Sequence, residues 1–236
     1  MPDLTNKIAL VTGSTKGIGK AIAEAFIDKG SRVIVHGRNR AEIEKVKTSI
    51  AAFACVDGDL GTAEGCNSVI EQLASIGQVE VLINNAGIFG VEDFFTIDDE
   101  EWLRYFQVNI MSAVRLCKAL MPLMLENDYG RIINVSSEAA IKPLPQMIHY
   151  SMTKTSLVSL SRGLAELTKG TGVTVNSVLP GPTWTEGVEK YFEGLAAEEG
   201  KPSRELIDNY FAGHEPSSLI QRFIDVREVA HAVLFL

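Results

Sequence analysis

The stretch that most constrains the fold is a strand, a glycine-rich turn and a helix joined without a break. Lys7 to Thr12 (KIALVT) is a short apolar run of strand formers, and it leads into Gly13-Ser14-Thr15-Lys16-Gly17-Ile18-Gly19. Lys20 to Lys29 then carries helical spacing, with Ile22, Phe26 and Ile27 apolar, and stops at Gly30. The pattern repeats. Strands are expected at Arg32 to His36, Phe53 to Val56, Val79 to Ile83, Arg131 to Val135 and Val173 to Val178. Helices are expected over residues 40–50, 62–75, 98–125 (one long helix, with Pro122 the place for a kink) and 147–168. Apolar strands alternating with helices predict an α/β fold, a parallel sheet with helices on both faces. No linker interrupts the alternation, so residues 1–236 are expected to form a single domain.

The glycine turn stands where the pyrophosphate of a dinucleotide would meet helix N-terminal amides. Gly13 permits the tight turn, and Gly17 and Gly19 allow close backbone approach and close helix packing. The spacing is T-G-x-x-x-G-x-G, not the general G-x-G-x-x-G. Its place after a first strand nonetheless supports a Rossmann-type, doubly wound sheet. Ser14, Thr15, Lys16 and Ile18 complete the loop and are expected at the cofactor with the three glycines. The second strand ends Val35-His36-Gly37-Arg38. An NAD enzyme usually offers a carboxylate there to the ribose 2′-hydroxyl, and here Gly37 stands in its place. Arg38 follows, and Lys16 sits just before Gly17. Two cations and no acid suit a 2′-phosphate. NADP(H) is therefore the expected cofactor and NAD(H) the alternative. Solvated surface charge is the competing reading of Arg38 and Lys16.

Tyr150-Ser151-Met152-Thr153-Lys154 places a phenol and an ammonium one helical turn apart on one face. A nearby ammonium favours the phenolate and is expected to lower the phenol's pKa toward a range useful for general acid–base work. Taken alone, Y-x-x-x-K is common, and an interfacial tyrosine beside a solvated lysine explains it as well.

Composition excludes several classes. The formal charge of −8 argues against a nucleic-acid or anionic-membrane partner. No segment approaches about 18 continuous apolar residues, so no membrane span is expected. Met1 to Leu10 lacks the pattern of a secretory signal. Cys55, Cys66 and Cys117 are scattered and odd in number. They fit neither a disulfide framework nor a zinc site and suit a reducing cytosol, so a cytoplasmic protein without a metal is expected.

Thr12 to Gly19, Asn84-Asn85-Ala86-Gly87, Asn109, Ser137, Tyr150 with Lys154, and Pro180-Gly181 follow one another in the order and spacing of the short-chain dehydrogenase/reductase family. The chain resembles that family over nearly its whole length. The resemblance implies hydride transfer between a nicotinamide and a carbonyl or alcohol carbon. Tyr150 would act as general acid/base, Ser137 would hydrogen-bond the substrate oxygen, and Lys154 would hold the nicotinamide ribose. Asn109 would hold a water linking Lys154 to solvent. Asp59, Leu60, Asn85, Ala86, Gly87, Pro180, Gly181 and Thr183 would line the cofactor, with Thr185 a weaker candidate. Ser136 is the fallback if the register of Ser137 is off by one. Residues at about 183–220, with Trp184, Tyr191, Phe192, Tyr210 and Phe211, would form a substrate lid. Inward-packed aromatics of surface helices explain most of those residues equally well. Glu138 is less usual beside the serine, and whether it faces solvent or a polar substrate stays open. His149 lies one position off the catalytic face and reads as a packing or rim residue.

The resemblance also implies a homodimer or homotetramer. The long helix and the helix after Tyr150 would meet their counterparts, Ser156, Ser159, Ser161 and Gly163 permitting close approach. Val229 to Leu236 is apolar and helical and stops without a cap or polar tail. A further roughly 20–30 residues, one linker and a seventh strand, are therefore expected beyond it. Three readings compete for the activity: a reductase of a small or lipid-like carbonyl, a 3-oxoacyl thioester reductase, and a cofactor-binding regulatory protein without turnover. The second is weakened because the loop Glu126-Asn127-Asp128-Tyr129 is acidic where related acyl reductases tend to be basic.

Overall fold

A computed structural model of the chain describes residues 4–213 and 215–236. The start of the Met1 to Leu10 stretch and residue 214 of the stretch expected to form a lid lie outside the described residues. In order, the elements are β1 (Ile8–Val11), α1 (Gly17–Asp28), β2 (Arg32–Gly37), α2 (Arg40–Ser49), β3 (Ala54–Asp57), α3 (Ala63–Ile76) and β4 (Val81–Asn84). The chain continues through α4 (Asp99–Phe106), a π-helical segment Gln107–Met111 and α5 (Ser112–Glu126). Then come β5 (Gly130–Val135), α6 (Ile148–Leu167), β6 (Val173–Val178), β7 (Thr183–Trp184), α7 (Glu186–Glu199), α8 (Ser203–Gly213), β8 (Ile224–Asp225) and α9 (Val226–Phe235).

The six long strands form one parallel sheet in the order β3-β2-β1-β4-β5-β6, a single Rossmann-like α/β domain. Alternation along each strand divides the core between the two faces. In β1, Ala9 and Val11 join Ile22, Phe26 and Val233 on one side, while Ile8 and Leu10 join Val69, Leu73, Leu116 and Met124 on the other. The strand order reverses between β1 and β4, so the two loops that follow those strands diverge and leave a crevice at the carboxyl ends.

Three expectations are corrected here. The long helix departs from α geometry at Gln107–Met111, whereas the α-helix runs on through Pro122. A π segment accommodates an extra residue in its turn and re-aims its side chains, and it carries Asn109. The same helix, Asp99–Glu126, is long and apolar enough by length and composition to cross a membrane. Half of its most apolar stretch is buried inside the fold, which accounts for that apolarity. Ser161 is also misassigned. It is buried facing the sheet, where Asn84 Nδ2 donates to Asn134 Oδ1 (2.8 Å) and Asn134 Nδ2 donates to Ser161 Oγ (2.7 Å). Ser177 Oγ bonds the same hydroxyl (2.7 Å), which ties β4, β5 and β6 to α6. Only Ser159 and Gly163 of the four small residues lie on the exposed face.

The two-residue parallel pair β7–β8 has no counterpart in the sequence reading. It pins both ends of the segment holding α7 and α8, and its aromatic residues pack on one another. Phe192 and Phe211 are buried, and Phe223 lies 5.1–5.7 Å from the rings of Trp184, Phe192, Tyr210 and Phe211.

Candidate active site

The glycine loop crosses the carboxyl ends of β1 and β4 and is held by side chains on three sides. Thr12 Oγ1 donates to the Ile83 carbonyl (3.1 Å) and accepts from the Asn85 and Ala86 amides (2.9 Å each). Asn85 Nδ2 donates to the carbonyls of Thr12 (2.9 Å) and Gly13 (3.1 Å). From β2, the His36 amide donates to Ser14 Oγ (2.9 Å), and the Gly13 amide donates to His36 Nδ1 (3.1 Å). Ser14 is fully buried, so its side chain anchors the loop and only its backbone is left for a ligand.

This loop fits a dinucleotide. Gly13 has φ +62°, and a Cβ there would lie 3.0 Å from Ala86 Cα. A Cβ on Gly19 would run into the Gly13 carbonyl oxygen and Asn85 Nδ2. No side chain caps α1 at Lys16, although Asn39, Thr62, Asp98, Thr185 and Asp225 cap their own helices. The first amides of α1 are thus left for an anion. Lys16 and Arg38 are exposed beside it. Further along the groove, Asp59 is exposed, but the Leu60 side chain is in the core, so Leu60 offers a ligand its backbone alone.

His36 is the residue of this region whose role the sequence did not reveal. Because Nδ1 accepts the Gly13 amide, Nε2 carries the proton and faces the Gly58 carbonyl at 3.1 Å. The neutral ring thereby joins the glycine loop to the loop after β3. Burial holds its pKa down at about 4, against the pull of the Gly58 carbonyl and of Asp57 and Asp59. An unfolded chain takes up this proton near 6.5. The stabilisation is therefore complete above that pH and is lost as pH falls from 6.5 toward 4. The thermal midpoint should drop less between pH 7 and pH 5 in His36→Gln than in the wild type. An equal drop in both would exclude this role.

The candidate catalytic groups gather at the other side of the crevice. Ser136 and Ser137 close β5. Ser136 is buried and donates to the Lys154 carbonyl (2.8 Å), whereas Ser137 lies close enough to the Tyr150 phenol to pull its pKa down. Lys154 is buried, donates to the Val135 carbonyl (3.0 Å), and sits 5.6 Å from the centroid of the Tyr150 ring. A Cβ on Gly87 would be 3.2 Å from Asn109 Oδ1 and 3.6 Å from Lys154 Nζ, so these two side chains approach one another across Gly87. Asn109 has both amide hydrogens engaged, by the Ile88 carbonyl and Thr153 Oγ1 (3.0 Å each), and its Oδ1 accepts the Ile88 amide (2.8 Å). Thr153 in turn donates to the Tyr150 carbonyl (2.7 Å). This run from Ile88 to Tyr150 fixes the helix register at the phenol, a role for Thr153 that no sequence pattern signals.

The direction of the tyrosine's pKa is a correction. Burial pushes it above the ordinary phenol value, with Ser137 opposing and Glu138 adding to the rise. Burial also lowers the Lys154 pKa to about 8. The sequence gives the spacing of the two groups but not the cost of desolvating a phenolate.

The model of the short chain dehydrogenase family matches residues 7–196. The chain belongs to that family. It is similar to an uncharacterised oxidoreductase of Bacillus subtilis, YvrD, with 50% identity over 99% of this chain and 90% of the relative. It is 34% identical to the 3-oxoacyl-[acyl-carrier-protein] reductase FabG of Haemophilus influenzae, over 99% of this chain and 91% of that one. The crystal structure of L-sorbose reductase from Gluconobacter frateurii, complexed with NADPH and L-sorbose, superposes with a TM-score of 0.92. It shares 30% identity and is covered over 100% of this chain and 91% of its own. This short-chain dehydrogenase is thus an oxidoreductase enzyme, and the reading as a protein without turnover is set aside.

The remaining expected positions surround that centre. Pro180 and Gly181 follow β6. Thr183 is mostly buried in β7 and donates to the Gly181 carbonyl (2.9 Å). Thr185 caps α7 at the Val188 amide (3.3 Å). His149 is buried, with its ring 4.2 Å from that of Tyr105, and burial lowers its pKa. Neutral, with Nε2 unpartnered among the described residues, it packs behind the site. The segment after α8 is clipped to the segment after Ser137, since Lys142 Nζ meets Glu215 Oε2 (2.5 Å) and Ser217 Oγ (3.1 Å). The loop Glu126 to Tyr129 precedes β5 at the amino end of the sheet, whereas the site lies at the carboxyl end. Within one chain it does not line the cleft, and its charge gives no ground against a thioester substrate.

Proposed function

We propose that this short-chain dehydrogenase is an NADP(H)-dependent oxidoreductase that interconverts a carbonyl and an alcohol, with Tyr150 as general acid/base. The observation that carries the proposal is the meeting of Ser137, Tyr150 and Lys154 beside a glycine loop shaped for a dinucleotide. The NADPH in the sorbose reductase structure supports the choice of cofactor. When bound, the nicotinamide supplies or accepts the hydride.

In the reductive direction Tyr150 donates its proton to the carbonyl oxygen, and Ser137 gives that oxygen a second hydrogen bond as charge develops on it. A phenol kept protonated by burial is well placed as a donor. Lys154, with a pKa of about 8, stays mostly charged at neutral pH and stabilises the tyrosinate left behind. Asn109, across Gly87 from Lys154, belongs to the route by which the proton is replaced. Oxidation of NADPH should be followed with a panel of aldehydes, ketones and 3-oxoacyl thioesters. Turnover of at least one ketone or aldehyde is expected. Consumption confined to the thioesters would favour the acyl reductase reading, and no consumption at all would refute the activity.

A further inference from the structure

Glu138 follows Ser137 directly and is half-buried. Its amide donates to the Pro180 carbonyl (2.9 Å), which fixes it against the loop after β6. A Cβ on Gly181 would lie 3.5 Å from Glu138 Oε2, so the carboxylate rests on the Pro180-Gly181 turn. Burial is the main cause that raises the pKa of the phenols of Tyr150, in the reacting centre, and Tyr210, on the lid, and the Glu138 charge adds to both. Among the described residues this carboxylate has no hydrogen-bond or ion-pair partner. The neighbouring cation, Lys142, is committed to Glu215, which is 3% exposed, and to Ser217. Burial and the Glu215 charge push the Glu138 pKa up, with Lys142 opposing. When a substrate fills the cleft, a half-buried carboxylate between a catalytic serine and a lid loses water, which is costly unless the substrate offers it a hydrogen-bond donor.

We propose that Glu138 determines specificity by accepting a hydrogen bond from a hydroxyl group of the substrate. The cleft accordingly takes neutral hydroxylated carbonyl compounds and rejects those with a carboxylate near the carbonyl. A hydroxyl gives that acceptor a donor. A substrate carboxylate would bring a third acid to Glu138 and Glu215, with Lys142 the one cation set against them among the described residues. The proposal rests on the oxidoreductase reading above and narrows its substrate.

Hydroxyacetone and butanone are near-isosteric probes that differ in the group at this position, and acetoacetate carries a carboxylate there. The wild type should favour hydroxyacetone over butanone by roughly 10- to 100-fold in kcat/KM, the range of one hydrogen bond to a charged group, and use acetoacetate poorly. In Glu138→Ala that ratio should fall at least roughly tenfold. Glu138→Gln keeps an acceptor oxygen without the charge, so it should retain part of the hydroxyl preference while improving on acetoacetate. Thermal midpoints of both variants show whether they are folded. An unchanged ratio in a folded Glu138→Ala overturns the proposal, as does a wild type that turns over butanone as well as hydroxyacetone. A wild type that consumes no carbonyl of any kind overturns the oxidoreductase reading, and this one with it.

Discussion

Tyr150→Phe is expected to lower turnover by at least about 10²-fold, the usual contribution of a positioned general acid. The substitution removes the transferable proton and keeps the ring. The ring's edge contact with Phe89, at a centroid distance of 6.4 Å, is retained, as is its place above Lys154. Ser137 keeps its own hydrogen bond to the substrate oxygen but has no neighbouring base to resupply a proton. The glycine loop is untouched, so the dissociation constant for NADPH, measured by fluorescence titration, should change little. Because burial raises the phenol's pKa, the wild-type reduction rate should show no loss from tyrosine ionisation through neutral pH. Near-normal kcat in the Phe variant would remove Tyr150 from the chemistry.

What the sequence disclosed is what local pattern determines. The six strands are short apolar runs bounded by turn residues, and their alternation with helices imposes the parallel sheet. Tyr150 and Lys154 share a helix face because four residues make about one turn. The rest depends on contacts between distant parts of the chain. Nothing in the run Gln107 to Met111 announces a π segment, because what holds Asn109 there is the Ile88 backbone and Thr153. His36 is one strand residue among others in the sequence, and the placing of β2 beside the glycine loop gives it a role; Ser14 stands in a ligand-binding loop, but its hydroxyl accepts the His36 amide. The attachment of the segment after α8 through Glu215 depends on a partner, Lys142, 73 residues away. The phenol's pKa moved opposite to expectation for a related reason. The adjacent cation is visible in the sequence, while burial is a property of the whole fold.

Arg38→Asp is expected to reverse the cofactor preference, changing the ratio of kcat/KM for NADPH over NADH by roughly 10²-fold or more. That is the scale of hydrogen bonds to a charged group, here lost to the 2′-phosphate and regained by the ribose hydroxyl. The end of β2 shows why position 38 carries the choice. Gly37, the usual place of an NAD-binding acid, is closed: a Cβ there would lie 2.7 Å from Thr15 Cγ2 and 3.1 Å from Ile43 Cγ1. Asp57, the nearby acid at the end of β3, is paired with Arg40 (2.9 Å), which also holds Glu44 (2.7 Å). It is therefore not free to take a ribose hydroxyl without giving up that pair. Arg38 and Lys16 are exposed beside the uncapped end of α1 and make no ion pair among the described residues. Gly37→Asp should then behave unlike Arg38→Asp: the added side chain displaces Thr15 and the glycine loop, and affinity for both cofactors falls. Equal or better efficiency with NADH in the unmodified protein would refute the preference, and a normal NADPH affinity in Gly37→Asp would refute the steric account of it.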